Sequence, residues 1–418
     1  MTIKRKVSTI CKQVKSAVQD SVNLSEKVKN QVLRSVASKI EQNIDKIIAA
    51  NKVDIAYAVE NKIEPAKIER LTLAESNIRG FCSTIEDICN LPDPVGRTLY
   101  HAKRDNGLDI KRVSTPLGVL FAIFESRPNV AIDIASLALK SGNGVILRSG
   151  KESLNSAKIL IDLFRQSLEE FKLDKNLVVL IEDTDRDYVK HLLKMDKYID
   201  VVIPRGGKSL ITEVIKSTKI PIFRHLDGNC HTYVNQKADF NKARKIILNA
   251  KLRRVSICGA TESLVIDKNI AAEILPKIVD DLIGGGCEIR GDLASTKIDN
   301  RIILANSKDF STEYLDKIVS VKIVLGITAA INHINKNGSG HTESIITEDG
   351  KAAQKFFDGI NSAIVMQNAS TQFADGGEFG LGAEVGISTG RLHARGPVGL
   401  EQLTTYKYVV TSDCAVRA

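Results

Sequence analysis

One cysteine of the chain lies in a context that suits covalent chemistry. Cys258 stands in a short run of small and polar residues, with Arg253 and Arg254 a few positions before it. A thiolate is the nucleophilic form of cysteine, and nearby positive charge lowers the pKa of a thiol. Cys258 is therefore a candidate nucleophile. Taken alone, the segment favours a small buried packing residue instead, because most free cysteines are of that kind.

Composition limits the classes of protein to which this chain can belong. Its 418 residues suffice for two or three domains, and 43% hydrophobic and 26% charged residues are ordinary for a globular protein. Seven cysteines, scattered without paired spacing, argue against a disulfide framework and against a structural metal site. The net charge of +9 is spread along the chain and tryptophan is absent, which favours a general basic surface over a nucleic-acid interface. With no membrane-spanning apolar run and no secretory signal, we expect a cytoplasmic protein.

The apolar pattern predicts the elements that must position Cys258. Over the first hundred residues, apolar side chains recur at spacings of three and four, which predicts helices. From Pro116 onwards, amphipathic helices alternate with short apolar runs at 117–124, 145–147, 177–181 and 199–203. This alternation predicts a parallel sheet with helices on both faces and with ligands at the carboxyl ends of its strands. A second alternating region begins after Pro221 and contains Cys258.

Three glycine-containing segments stand out between these elements. Gly206 and Gly207 follow a strand and precede a helix, where backbone N–H groups can approach an anion; a plain tight turn is the alternative. Asn106-Gly107 is a hairpin signal between two alternating segments. Residues 376–399 are rich in glycine and charge, which suits a loop that backs an active site or a flexible linker.

Several long motifs occur together in the order found in one superfamily. They lie at 114–119, 124–130, 139–143, 146–148, 203–207, 225–231, 253–262 and 373–384. On these residues the chain resembles the aldehyde dehydrogenase superfamily over almost its whole length, and within it the enzymes that reduce γ-glutamyl phosphate in proline synthesis. The resemblance implies an aldehyde dehydrogenase-like α/β fold with three parts. These are a Rossmann-type parallel-sheet domain that binds NADPH (1–104, 122–228 and 356–390), an α/β catalytic domain with Cys258 (229–355), and a small β oligomerisation element (105–121 and 391–418).

The resemblance also implies a reaction, in which L-glutamyl 5-phosphate, NADPH and a proton give L-glutamate 5-semialdehyde, phosphate and NADP⁺. Cys258 would displace phosphate to form a thioester, and hydride from the nicotinamide would reduce that thioester. The tetrahedral intermediates carry an oxyanion, for which the superfamily pattern indicates Asn129 and the backbone N–H of Cys258. Without the resemblance, Asn129 would be taken for a turn residue after Pro128.

Further residues are assigned by the same resemblance. For the cofactor, Arg148 and Lys151 are expected to hold the 2′-phosphate of NADPH, Gly206 and Gly207 the pyrophosphate, and Glu313 the nicotinamide ribose.

For the substrate, Arg127 and Arg205 are candidates for binding phosphate or carboxylate, and Glu378 and Glu384 for binding the ammonium group. No metal site is expected.

Two departures from the superfamily pattern bear on chemistry. Members that hydrolyse their thioester have a Glu-Leu-Gly-Gly segment whose glutamate activates water, whereas this chain has His225-Leu226-Asp227-Gly228. The missing carboxylate favours transfer to phosphate over hydrolysis; His225 could donate a proton or serve a structural role. Gly259 stands where close relatives have a polar residue, and we expect activity to be retained.

Two other functions remain open from the sequence. The chain could be an aldehyde dehydrogenase that acylates coenzyme A, or a non-catalytic binding protein on the same scaffold. We further expect a homodimer or larger homo-oligomer, assembled through strands of the hairpin and of the C-terminal run 406–410. A transient association with the upstream glutamate kinase is also expected, with no membrane or nucleic-acid partner.

Overall fold

Helices and strands alternate along the chain as the sequence predicts, and the computed structural model describes residues 2–224 and 227–417. The elements fall into two compact units. The first consists of Met1–Arg224, Gly380–Gly386 and Val398–Ala418, and the second of His225–Phe379 and Ile387–Pro397. The predicted α/β fold with parallel sheets is confirmed.

The first unit begins with helices, as their apolar spacing predicts. The bounds are Ile3–Asp20 (α1), Glu26–Gln42 (α2), Ile44–Glu60 (α3), Pro65–Leu71 (α4) and Glu75–Asn90 (α5). In α1 the buried residues include Val7, Cys11 and Val14, three or four positions apart on one face. Ser25 starts α2 by accepting a hydrogen bond from the N–H of Val28, which satisfies one unpaired donor of the first turn.

A four-stranded parallel sheet forms the core of the first unit. Its elements are β3 (Val119–Phe124), α6 (Asn129–Lys140), β4 (Gly144–Ser149), α7 (Leu154–Glu170), β5 (Val178–Leu180), α8 (Arg186–Leu192), β6 (Val201–Arg205) and α9 (Lys208–Ser217), with strand order β5-β4-β3-β6. Strand β3 is buried along its whole length, as expected of a strand covered on both faces. Phe124 pairs with Ser149 on one side and Arg205 on the other. The carboxyl ends of three strands therefore lie side by side.

A three-stranded antiparallel sheet also belongs to the first unit. Its strands are β1 (Thr98–Lys103), β2 (Asp109–Pro116) and β16 (Thr404–Thr411), in the order β1-β2-β16. The turn between β1 and β2 contains Gly107 with a φ of +83°, a conformation that favours glycine. The predicted hairpin at Asn106-Gly107 is therefore present, and β16 extends it by one strand.

A seven-stranded parallel sheet forms the core of the second unit. Its elements are β7 (Cys230–Val234), α10 (Phe240–Leu252), β8 (Thr261–Asp267), α11 (Lys268–Gly284), β9 (Glu288–Gly291), α12 (Leu293–Ile298), β10 (Ile303–Leu304), β11 (Ile318–Val324), α13 (Gly326–Asn337), β12 (Thr342–Ile346), α14 (Gly350–Gly359) and β13 (Ile364–Gln367), with strand order β10-β9-β11-β8-β7-β12-β13. Strands β14 (Ile387–Ser388) and β15 (Gly396–Pro397) form a separate antiparallel pair. Strand β8, which follows Cys258, is buried throughout.

The compact units are divided differently from the predicted domains. Residues 356–390 were expected with the cofactor-binding segments, but β13 pairs in parallel with β12, which places residues up to Phe379 in the second unit. The predicted oligomerisation segments 105–121 and 391–418 also differ from the three-stranded sheet. Strand β1 belongs to the sheet but lies outside these segments, whereas β15 lies within them but does not belong to the sheet. No helix within the described residues is both long enough and apolar enough to cross a membrane.

Candidate active site

Cys258 lies on the turn that joins α10 to β8. The turn spans residues 253–260, and the N–H of Ala260 donates to the carbonyl of Ile257 at 3.0 Å. The side chain of Cys258 is half-buried and packs against a small apolar cluster of Ile364, Ala374 and Ile387. A cysteine held between a helix end and a buried strand has little freedom to move, which suits a nucleophile that must meet its substrate in one geometry.

A buried ion pair closes the base of this turn. Lys251, in the last turn of α10, donates to the carboxylate of Glu262, in β8, at 2.5 Å, and both side chains are fully buried. Burial raises the pKa of Glu262 to about 7, and the charge of Lys251 opposes that rise. The carboxylate also accepts the N–H of Leu315 at 3.2 Å. Removing one partner of such a pair leaves a buried unpaired charge, so the two ends of the turn are held firmly together.

Gln372 holds the helix side of the turn. Its side-chain nitrogen donates to the carbonyls of Asn249 at 3.2 Å and Ala250 at 2.9 Å, which satisfies acceptors at the end of α10. Its side-chain oxygen accepts from Nη1 of Arg253 at 3.2 Å. The Arg253 guanidinium, considered from the sequence as a source of positive charge for Cys258, is therefore engaged with Gln372.

The beginning of β7 holds the other side of the turn. The thiol of Cys230 donates to the carbonyl oxygen of Cys258 at 3.1 Å. A Cβ atom added to Gly228 would lie 2.2 Å from that same oxygen, so only glycine fits. The N–H of Gly228 donates to Oε1 of Glu313 at 2.9 Å. Gly259 packs closely as well, since a Cβ there would lie 3.0 Å from the carbonyl oxygen of Thr371.

Asn129 begins α6, immediately beyond β3. Its side-chain nitrogen donates to Oδ2 of Asp133, one helical turn further on, at 2.9 Å. Burial raises the pKa of Asp133 to about 6, while the Asn129 hydrogen bond and the nearby charge of Arg205 oppose that rise. An ionised carboxylate only accepts hydrogen bonds, so Asp133 determines which way the amide of Asn129 faces.

The predicted cofactor residues of the first unit gather at one edge of its sheet. Arg148 lies at the end of β4 and is buried; burial lowers its pKa, and its Nη1 donates to the carbonyl of Ser149. Its Nε atom is buried with no hydrogen-bond partner among the described residues. Lys151 follows in an exposed position. Gly206 and Gly207 lie between β6 and α9, and a Cβ on Gly207 would meet open space.

Glutamate side chains cross-link the loops at this edge. Oε2 of Glu125 accepts the N–H of Gly207 at 3.2 Å. Oε1 of Glu152 accepts both the N–H of Ser126 at 2.7 Å and its hydroxyl at 3.0 Å. Ser126 has a φ of +49°, which is uncommon for a residue with a side chain and is stabilised here by those two bonds. The loops after β3, β4 and β6 are therefore tied to one another.

The predicted substrate residues are divided between the units. Arg127 is half-buried beside Asn129, and Arg205 ends β6 with its guanidinium against Gly386, where a Cβ would lie 2.7 Å from Nη1. Glu384 is half-buried in the same unit, whereas Glu378 is exposed in the second unit.

Glu313 lies beside the Cys258 turn through its bond to Gly228. The expectation for His225 falls on a residue outside those that the structure describes.

Sequence reasoning missed five residues that the structure places around the candidate residues. Asp133 lies four residues after Asn129 on a predicted helix, so its contact could have been inferred from helical spacing. Cys230 and Gln372 reach the Cys258 turn from distant parts of the chain, whereas Lys251 and Glu262 flank the turn in sequence and pair across it. Nothing in the local sequence around Cys258 indicates Cys230 or Gln372.

Comparison with known proteins identifies the family to which this chain belongs. The model of the aldehyde dehydrogenase family matches residues 3–284. A relative from Paramagnetospirillum magneticum named gamma-glutamyl phosphate reductase is 49% identical over 389 residues, covering 93% of this chain and 92% of the relative. The crystal structure of gamma-glutamyl phosphate reductase from Thermotoga maritima is 41% identical, covers 99% of this chain and 100% of its own, and superimposes with a TM-score of 0.96.

A more distant structure shares the fold alone. Glyceraldehyde-3-phosphate dehydrogenase from Methanocaldococcus jannaschii, solved in complex with NADP, is 13% identical and has a TM-score of 0.71, with 98% of this chain and 95% of that one covered. The chain therefore belongs to the aldehyde dehydrogenase family and, within it, to the gamma-glutamyl phosphate reductases.

Proposed function

We propose that this protein reduces L-glutamyl 5-phosphate to L-glutamate 5-semialdehyde with release of phosphate, the second step of proline synthesis from glutamate. The observation that carries the proposal is the full-length identity of 41–49% to proteins named for this reaction, joined with the position of Cys258 on a firmly held turn. Coenzyme A acylation and non-catalytic binding are not favoured, because relatives that are 48–49% identical over more than 90% of both chains carry the reductase name.

Cys258 performs the covalent step of the proposed reaction. Its thiolate attacks the acyl carbon of glutamyl phosphate, a carbon–sulfur bond forms, and the carbon–oxygen bond to phosphate breaks. A nicotinamide cofactor held by residues of the first unit would supply the hydride for reduction of the resulting thioester to the thiohemiacetal level. Cys258 then leaves as the thiolate while the aldehyde carbonyl forms. The half-buried setting of the side chain limits competition from water.

Asn129 and the backbone N–H of Cys258 are the proposed donors to the oxyanion. A primary amide has two N–H bonds, and a single hydrogen bond to Asp133 leaves the second able to donate. Donors that are already oriented stabilise the developing charge without reorganising, and loss of one typically reduces the rate by about 10²–10³.

Residues of the first unit fit a nicotinamide dinucleotide, and we propose NADPH. The buried Nε of Arg148 has no partner among the described residues, which suits a residue that binds an anion. Arg148 and the exposed Lys151 would hold the 2′-phosphate, which NADH lacks. The open space at Gly207, before the N-terminus of α9, would accept the pyrophosphate beside Gly206. Glu313 would bind the nicotinamide ribose.

The charges of the substrate suggest its partners. We assign Arg127 and Arg205 to the phosphate or the α-carboxylate, and Glu384 or Glu378 to the ammonium group. Support comes from the close packing of the Arg205 guanidinium against Gly386. A side chain at position 386 would displace that guanidinium. Hydrolytic relatives carry a water-activating glutamate in the segment that corresponds to residues 225–228. The described part of this segment consists of Asp227 and Gly228, and the N–H of Gly228 donates to Glu313.

For assembly we propose a homodimer or larger homo-oligomer formed through the sheet of β1, β2 and β16. Support comes from Leu99, Tyr100, Tyr406, Tyr408 and Val410, apolar or aromatic side chains of this sheet that are about half exposed. A reduced cytoplasmic setting suits the seven free cysteines, all of which lie within the described residues. A transient association with glutamate kinase would shorten the exposure of the reactive acyl phosphate to water.

The test is the reverse reaction, followed as NADP⁺ reduction in the presence of glutamate 5-semialdehyde. Phosphate is supplied as acyl acceptor in one series and coenzyme A in another, and NAD⁺ replaces NADP⁺ in a third. We expect activity that requires phosphate and is lost in Cys258→Ala. Activity that ignores phosphate but requires coenzyme A would favour the acylating alternative, and full activity of Cys258→Ala would refute the mechanism.

A further inference from the structure

Cys230 is a second cysteine in contact with the candidate nucleophile, and the proposed mechanism does not use it. It is the first residue of β7 and is fully buried. Its Sγ lies 3.1 Å from the carbonyl oxygen of Cys258, within hydrogen-bond distance for a thiol donor. Nδ1 of His341 lies 3.5 Å from the same sulfur and 2.8 Å from Oγ1 of Thr342. The thiol is therefore held between a buried imidazole and the backbone of the nucleophile.

The sheet register at this point brings the thiol to the turn. Cys230 pairs with Thr261, the first residue of β8, but His231 pairs with Ser263, so the register shifts by one residue. Such an irregularity redirects a side chain and is common beside active sites. Burial also raises the pKa of Cys230 well above its ordinary value, so the sulfur remains a protonated donor and not a competing nucleophile.

We propose that Cys230 is a positioning residue for Cys258: its buried S–H holds the Cys258 carbonyl and thereby fixes the peptide group from which the nucleophile extends. Gly228 also approaches this carbonyl closely, because a Cβ added to it would lie 2.2 Å from the oxygen. Without the S–H the carbonyl loses a partner, and the turn gains freedom to rotate. This inference deepens the proposed function and rests on Cys258 being its nucleophile.

Four variants test the proposal. Cys230→Ala and Cys230→Val remove the donor, and Val, which suits a strand, fills the space of the sulfur if Ala leaves a cavity that prevents folding. Cys230→Ser keeps a donor. Cys287→Ala is the matched control, because Cys287 is also a buried thiol of the second unit and donates to a backbone carbonyl, that of Glu288 at 3.5 Å.

The first measurement is hydrogen–deuterium exchange of peptides covering residues 253–260. We expect exchange about tenfold faster in the two donor-free variants and wild-type exchange in Cys230→Ser and Cys287→Ala. The second is steady-state kinetics, in which the donor-free variants should lose about 10–100-fold in kcat with little change in KM. Cys287→Ala should keep its kcat even where its thermal stability falls.

Each outcome decides the matter. Wild-type exchange of the turn in Cys230→Ala or Cys230→Val overturns the proposal, as does a Cys230→Ser variant that loses as much kcat as Cys230→Ala, since packing would then be responsible. Exchange does not depend on substrate. An inactive wild-type protein would therefore refute the proposed function while the exchange comparison still tests the role of Cys230.

Discussion

A single methyl group at Gly228 should disable the enzyme by displacing its proposed nucleophile, Cys258. A Cβ at this position would lie 2.2 Å from the carbonyl oxygen of Cys258 and 2.7 Å from its Cα. Ordinary van der Waals contact begins at about 3.4 Å, so the two backbone segments must separate by about 1.2 Å in Gly228→Ala. Both clashing atoms are backbone atoms, and a rotamer change cannot relieve the contact.

The expected loss follows from that displacement. A shift of about 1 Å at a reacting group typically reduces the rate by about 10²-fold, and overpacking of a close contact costs about 1–3 kcal/mol of stability. The N–H of Gly228 also bonds to Glu313, so the movement carries the proposed ribose-binding carboxylate with it. We therefore expect a fall in kcat of about 10²-fold with a rise in the KM for NADP⁺.

The assay is NADP⁺ reduction with glutamate 5-semialdehyde and phosphate, with thermal unfolding measured on the same samples. Gly284→Ala is the control, because Gly284 ends α11 in the same unit and a Cβ there meets nothing within 4 Å. Alanine is a better helix former than glycine, so the control should keep its activity, and its free energy of unfolding should rise by up to about 1 kcal/mol. A Gly228→Ala protein with wild-type kcat and unfolding temperature would refute the steric reasoning.

Three further variants test other parts of the site. Arg148→Met should raise the KM for NADP⁺ by at least about tenfold and leave that for NAD⁺ nearly unchanged, as paired initial-rate measurements would reveal. Asp133→Asn should lower kcat by about tenfold, since an amide partner no longer dictates which way Asn129 faces; in an Asn129→Ala background it should have no further effect, which a double-mutant cycle measures. His341 is fully buried, and burial lowers its pKa to about 4. The histidine binds a proton near pH 6.5 in the unfolded chain but only near pH 4 in the folded chain. The free energy of unfolding therefore falls as the pH drops through this window, by about 3 kcal/mol for a single histidine. Urea unfolding of His341→Asn should show a correspondingly shallower decline.

Much of the fold follows from patterns that are local in the sequence. The strands of the first unit are short apolar runs between amphipathic helices, and β3, β4 and β6 form where those runs occur. The glycines before α9 and the Asn106-Gly107 turn are likewise readable from residue type. Domain boundaries are less accessible, because residues 356–379 join the second unit through the pairing of β13 with β12, and that pairing depends on tertiary packing.

The candidate site divides in the same way. Cys258 and Asn129 stand in motifs that a family resemblance picks out, whereas the residues that hold them are recognised only by distance. Gln372 lies more than a hundred residues beyond the α10 carbonyls it binds, and Cys230 reaches Cys258 from the neighbouring strand. When a distant side chain donates a hydrogen bond to a backbone carbonyl, the residues near that carbonyl in sequence do not reveal the donor.

These contacts also change how the setting of Cys258 should be understood. Its neighbourhood in sequence suggests activation by two arginines, but Arg253 donates to Gln372, and the buried cation Lys251 is matched by Glu262. What the turn provides instead is a rigid backbone, held by Cys230 and enclosed by Gly228 and Gly259. A nucleophile gains as much from being held at the attack distance as from a lowered pKa, because effective molarities of oriented groups are large. We therefore attribute the proposed reactivity of Cys258 first to position.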